Sequence, residues 1–107
     1  MDTLWRLTVL IRHGDVLIQS VKTIPTSASP LPHATLAHGE VTGHSHRIAE
    51  PADVELFEVN GTLYLRVKAE SASLVHQEHA TLNIPKGEDK VWRQREYTPR
   101  EIRIIRD

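Results

Sequence analysis

Residues 54–67, "VELFEVNGTLYLRV", constrain the fold more tightly than any other stretch of the chain. Asn60-Gly61 tolerates positive φ at both central positions of a type I′ turn, the turn whose twist matches that of the strands it joins. A two-residue loop leaves no freedom of register. It pairs Val59 with Thr62, Glu58 with Leu63, Phe57 with Tyr64, Leu56 with Leu65, Glu55 with Arg66 and Val54 with Val67. Directly opposed residues share a face of the sheet. Phe57, Tyr64, Glu55 and Arg66 therefore lie on one side, and Val54, Leu56, Leu63, Leu65 and Val67 form an aliphatic side expected to face the core.

Period-two alternation recurs elsewhere. In "LWRLTVLIR" Trp5, Leu7, Val9 and Ile11 share one parity against Arg6, Thr8 and Arg12, as in a half-buried strand. "HGD" interrupts it, and "VLIQSVKTI" predicts a second strand hairpinned to the first through Gly14. Residues 25–33, "PTSASPLPH", carry three prolines and predict a loop with little capacity for ladder hydrogen bonds. Beyond "KAESAS" come the short strand-like runs "LVHQEH", "TLNIP" and, past the turn-like "KGED", "KVWRQREY". Thr98-Pro99-Arg100-Glu101 matches a capping box with proline at the first helical position. A short C-terminal helix over 99–106 is expected, with β-branched Ile102, Ile104 and Ile105 leaving a strand as the alternative.

Six to eight short strands in 107 residues predict a single all-β domain over 1–107, a small barrel or sandwich with one C-terminal helical turn. Charged residues make up 25% of the chain and the formal net charge is −1, so neither a disordered tail nor a strongly basic nucleic-acid binder is favoured. Arg93, Arg95, Trp92 and Tyr97 are interleaved, but alternation splits the aromatics between faces, and nucleic-acid binding is not expected. No stretch approaches the ~20 apolar residues of a membrane span, and the N-terminal run lacks signal-peptide features, so a cytoplasmic location is expected.

The chain has no cysteine, which leaves histidine, carboxylate and water as metal ligands, and seven histidines supply the first of these. In a strand His44 and His46 point to one face about 7 Å apart, with Glu50 on the same parity. "LVHQEH" adds His76, Glu78 and His79. A regular strand would aim His76 and Glu78 one way and His79 the other, so bringing His76 and His79 together requires a bulge or turn at Gln77-Glu78. Two ligand sets remain open: His44, His46, His76 and Glu78, or His44, His46, Glu50 and His79. Either suits a divalent transition metal, Zn, Fe, Mn, Co or Ni.

Gly39, His44, His46 and Glu50 resemble the first motif of the cupin family, with four residues between glycine and histidine where that family usually has five. "ELFEVNGTLYLRV" resembles the hairpin between cupin motifs, and Pro85 and Gly87 of "IPKG" its P-x-G turn. Cupins place their remaining histidine after that turn, where this chain has Glu88, Asp89 and Lys90; His79 and Asn83 keep an H-x-x-x-N spacing but precede it. The chain also resembles a group of small bacterial proteins sharing "GEVTGH.H" and "REYTP", here residues 39–46 and 95–99. The cupin resemblance implies a small β-barrel with an internal metal site.

The expected function is thus a metal-binding protein with a His/carboxylate site inside a barrel. As an enzyme it would use the metal as a Lewis acid or to activate water for a small-molecule ligand. The alternative is a non-catalytic binding or self-assembly module whose histidines are structural. Homo-oligomerisation is expected in either case, because one small barrel buries little core and leaves strand edges to cover.

Overall fold

A computed structural model of the chain describes residues 9–38, 44–93 and 103–106. Within them the protein is all-β. The order is β1 (Val9–His13), β2 (Val16–Val21), β3 (Ser29–Leu31), β4 (Thr35–His38), β5 (Ser45–Ile48), a 3-10 turn (Pro51–Asp53), β6 (Val54–Val59), β7 (Thr62–Val75), β8 (Leu82–Arg93) and β9 (Arg103–Arg106). The sheet runs β3-β6-β7-β8-β2-β1-β9, with β5 paired to β7 and β4 to β5. It curls into a half-barrel.

The β6–β7 hairpin has the register that Asn60-Gly61 dictates, from Val59↔Thr62 through Val54↔Val67, with φ of 50° and 80° at the two turn residues. Val54, Leu56, Leu65 and Val67 are buried and join Ile18, Ile48, Leu74 and Ile84 in one core. On the opposite face Arg66 donates to Glu55 (3.0 Å) and Glu88 (2.9 Å) and lies over the Phe57 ring at 4.8 Å. These partly exposed charges fix side-chain positions more than they stabilise the sheet.

β7 and β8 form one long ribbon with a kink. Val67 pairs with Gly87 and Ser71 with Pro85, so Lys68, Ala69 and Glu70 oppose Lys86 alone. On both strands the buried parity switches there, from Leu65 and Val67 to Ala72 and Leu74 on β7, and from Ile84 to Asp89 on β8. Excess residues on one strand bend a ladder and increase its twist. Gly87, at φ 145°, occupies backbone space that only glycine enters readily, and Pro85 sits where the disrupted ladder tolerates a missing N–H. "KAESAS" and "KGED" are therefore not strand ends, contrary to the sequence expectation, but the two sides of this bend. The P-x-G segment likened to a cupin turn lies within β8.

Three further expectations are corrected. Within the 25–33 loop, Ser29–Leu31 forms an edge strand on β6, with Pro30 opposite Phe57, at an edge position where its missing N–H is tolerated. Residues 103–106 of the expected 99–106 helix form a strand parallel to β1. There the β-branched Ile104 and Ile105 favour the sheet, while the capping-box residues lie outside the described range. β1 is not half-exposed: Leu10 and Ile11 are both buried. Trp5 also lies outside the described residues.

Asp89 is a polar residue on the buried side of β8, paired in register with Leu65 and Ser20. Burial, then the neighbouring Glu88 charge, pushes its pKa up to about 7. The folded state therefore holds a proton that the unfolded chain releases near pH 4, and this group's contribution to stability falls as pH rises from about 4 to about 7. Asp89→Asn removes that slope. Denaturant unfolding at pH 5 and pH 8 should show the variant gaining on the wild type between the two, by a margin on the order of 2 kcal/mol. An equal difference at both pH values would show that Asp89 is not buried in this way.

Candidate functional site

The bent ribbon brings its tip, residues 76–81, to the turn between β1 and β2. β1 ends in His13, and the two-residue turn Gly14-Asp15 follows. His46 lies on β5 with His44 just before it, and Ser45 N–H donates to the Gln77 side chain at 3.0 Å, tying β5 to the ribbon tip. A bend at 77–79 turns His76, Glu78 and His79 back toward both. The ring centroids of His46 and His76 are 4.3 Å apart, His76 and His79 4.7 Å, His13 and His46 5.1 Å, and His44 and His76 5.6 Å. Five imidazoles from three segments thus share one place. His13 and His46 are fully buried; the others are partly exposed.

Proton placement sets the chemistry. His13 Nε2 lies 2.9 Å from the Ala80 carbonyl, which only accepts, so Nε2 carries hydrogen and neutral His13 presents a lone pair at Nδ1. That Nδ1 lies 3.0 Å from Nδ1 of His46. On the other side of the His46 ring, Nε2 faces Asp15 Oδ1 at 3.7 Å, while Asp15 Oδ2 accepts from Arg93 at 2.6 Å. A neutral His46 has one hydrogen for two acceptors. Placed on Nδ1 it leaves a lone pair facing the carboxylate; placed on Nε2 it leaves two lone pairs facing each other. A protonated His46 would satisfy both contacts, but burial foremost, then the adjacent His76 and His13, lowers its pKa to about 4.

Burial, His79 and His44 also lower the pKa of His76, whose Nδ1 accepts the Glu78 backbone N–H at 2.9 Å. His44 Nδ1 lies 3.4 Å from Glu78 Oε2. Among the described residues no group of three or more His, Asp or Glu side chains stands in an arrangement that could hold a metal ion. What converges is a set of rings and one nitrogen pair.

Of the residues singled out in the sequence, His44, His46, His76, Glu78 and His79 come together, with the bend at 77–79 supplying the turn that His76 and His79 require. Glu50 does not join them. The 3-10 turn begins at Pro51, and the Glu50 carboxylate accepts the Ser73 N–H and hydroxyl, each at 2.7 Å, bonds that lower its pKa. His13 and Asp15 were missed by the sequence reading. A signal existed, since His13 continues the apolar parity of Val9 and Ile11. Arg93, the partner of Asp15, also lines a cleft of about 180 Å³ with Leu36, Leu63, Val91 and Trp92. Arg93 also donates to the His38 carbonyl at 3.1 Å, and Lys90 sits 3.9 Å over the Trp92 ring. Arg95 and Tyr97 lie outside the described residues.

A curled, all-β half-barrel whose seam is lined by imidazoles defines the class of this protein. It belongs to a family defined by a domain of unknown function, DUF8820, whose model matches residues 12–94 and so spans every residue of the cluster. No curated protein matches the chain. No solved structure matches it. No helix among the described residues is long and apolar enough to cross a membrane.

Gly14 is the tightest point of the site. A Cβ there would lie 2.6 Å from His79 Nε2 and 3.1 Å from His46 Cε1, and φ is +63°. Gly14→Ala should cost about 1–2 kcal/mol from the left-handed backbone alone and push the His79 ring aside. Unfolding curves and imidazole proton shifts in NMR check this; unchanged His46 and His79 resonances would contradict the close approach.

Proposed function

We propose that this protein binds a divalent transition-metal ion at the seam of its half-barrel, with His13 and His46 as the paired nitrogen ligands and His79 as a third. The 3.0 Å approach of the two Nδ1 atoms, with the His13 hydrogen held on Nε2 by the Ala80 carbonyl, carries the reading. A cation between the two Nδ1 atoms lets His46 keep its hydrogen on Nε2 toward Asp15, the carboxylate-imidazole-metal relay that orients many ligand histidines. Two ligands at about 2.1 Å and a right angle are about 3.0 Å apart, the spacing of this pair. His79, whose ring centroid lies 5.5 Å from that of His13 and 5.8 Å from that of His46, would have to turn its ring to supply the third ligand. An ion there would act as a Lewis acid or activate water.

A second reading is favoured by hydrogen bonds already in place: His13 to Ala80 and Arg93 to Asp15 and His38 make the cluster a structural clasp for a binding or self-assembly module. Metal analysis separates the two. Untagged protein purified without chelator should carry or take up about one Zn(II) or Co(II) per chain. The pair His13→Ala, His46→Ala should weaken uptake at least 100-fold by calorimetry. Saturation at 100 times Kd should stabilise the wild type by about 2.7 kcal/mol. Absence of stoichiometric metal leaves the clasp.

Self-association is part of the proposal, since β3, β4 and β9 each pair with one strand only among the described residues. Light scattering should give a mass of at least two chains; a mass of 12.1 kDa would remove it.

A further inference from the structure

We infer that a second copy of this chain pairs with the free edge of β9 rather than with those of β3, β4 or β8, so that association stops at a twofold pair instead of running on as a filament. This rests on the self-association reading above and is independent of any metal.

The edge of β3 has lost its donors. In a hairpin with a two-residue loop the residues flanking the turn, Val59 and Thr62, exchange both backbone hydrogen bonds, and bonded pairs alternate from there. Phe57 and Glu55 thus turn their backbone groups toward β7, while Glu58 and Leu56 turn theirs toward Ser29 and Leu31 of β3. A trans peptide sets each nitrogen opposite the carbonyl before it, and no cis bond occurs among the described residues. The nitrogens that follow the Ser29 and Leu31 carbonyls therefore point away from β6, to the open side. They belong to Pro30 and Pro32, which have no hydrogen to give.

The part of β8 before Glu88, which β2 does not reach, is treated in the same way. Ala49 N–H donates to the Ser73 carbonyl at 2.9 Å, so Ser73 faces β5, and Ala72 and Leu74 face Ile84 and Leu82 of β8. The nitrogen after the Ile84 carbonyl points to the open side, and it belongs to Pro85. On β4 a bulge between Thr35 and Ala37 breaks the ladder, and the His38 carbonyl already accepts from Arg93 at 3.1 Å. β9 carries none of these devices. Its register with β1 runs unbroken from Val9↔Arg103 to Arg12↔Arg106, and it contains no proline.

A strand arriving at β3 would set its own carbonyls against proline rings, with no donor to receive them. A sheet open at both ends adds copies head to tail without limit. One open end admits only the contact of that edge with itself, β9 against β9, antiparallel about a twofold axis.

Light scattering of the full-length protein from micromolar to millimolar concentration tests this. The wild type should reach two chains and stop there. Pro30→Thr combined with Pro32→Thr restores two outward donors, and its mass should climb past two chains as concentration rises. Adjacent nitrogens of a strand face opposite sides, so one of Ile104→Pro and Ile105→Pro removes an outward donor of β9. That variant should be a single chain with the circular dichroism of the wild type. A wild-type mass that grows past two chains overturns the inference, as does a Pro30, Pro32 double variant that stays at two. Persistence of the pair in both β9 proline variants overturns it while leaving self-association in place. A wild type of one chain at every concentration removes the self-association reading and this inference with it.

Discussion

The bend in the β7–β8 ribbon is the constraint on which the rest of this structure depends. Three residues of β7 against one of β8 turn a hairpin too long to lie flat against one short sheet into two arms, one pairing with β6 and β2 and the other with β5. The change of buried parity keeps Leu65 and Val67 on one arm, and Ala72 and Leu74 on the other, turned toward the same core. Without that switch one arm would direct its aliphatic residues to solvent. The same bend returns the ribbon tip to the β1–β2 turn, so the histidine cluster is a geometric consequence of core packing. Function at this seam would therefore depend on residues far from it, Gly87 above all.

How much of this is legible in the sequence depends on the range of the interaction. Asn60-Gly61 encodes a register because its turn is local, and all six cross-strand pairs follow from it. The "KAESAS" and "KGED" stretches signal a real break in alternation, but a break looks the same in a string of letters whether the chain turns back or shifts phase within one ladder. Only pairing between residues about fifteen apart distinguishes these cases. At the C-terminus, Arg103–Arg106 joins β1 across nearly the whole chain, and the open ladder of β1 outweighs local helix signals. Pro30 is a milder instance of the same effect, since the edge of β6 accepts an extended segment that needs few donors.

The cluster was legible in half. Both His-x-His and the His-x-x-His that needs a bend are visible as spacing, and they meet. His13 is hidden because a single histidine beside a turn glycine has no partner nearby in sequence. Its parity with Ile11 places it on the buried side, but parity alone does not show what it faces. Glu50 illustrates the converse error. It keeps strand parity with His44 and His46, yet Pro51 ends the strand's geometry, and the Ser73 N–H and hydroxyl take up the carboxylate. Spacing proposes ligands; the hydrogen-bond partners a group has already acquired decide which remain available.

That rule also bears on why imidazoles gather here at all. Close packing of these rings, two of them fully buried, disfavours the protonated form, with burial the largest cause of the lowered pKa values of His46 and His76. A purely structural seam would be better served by aliphatic side chains, which need no partners and would extend the core that ends at Ile11 and Leu36. Here the protein instead holds His13 in one tautomer, places a carboxylate on an arginine behind His46, and keeps Gly14 bare so that His79 can approach. Each arrangement constrains a ring nitrogen, and none adds apolar contact. On the metal-binding proposal these constraints would serve a bound cation; on the clasp reading they hold the ribbon tip against the β1–β2 turn.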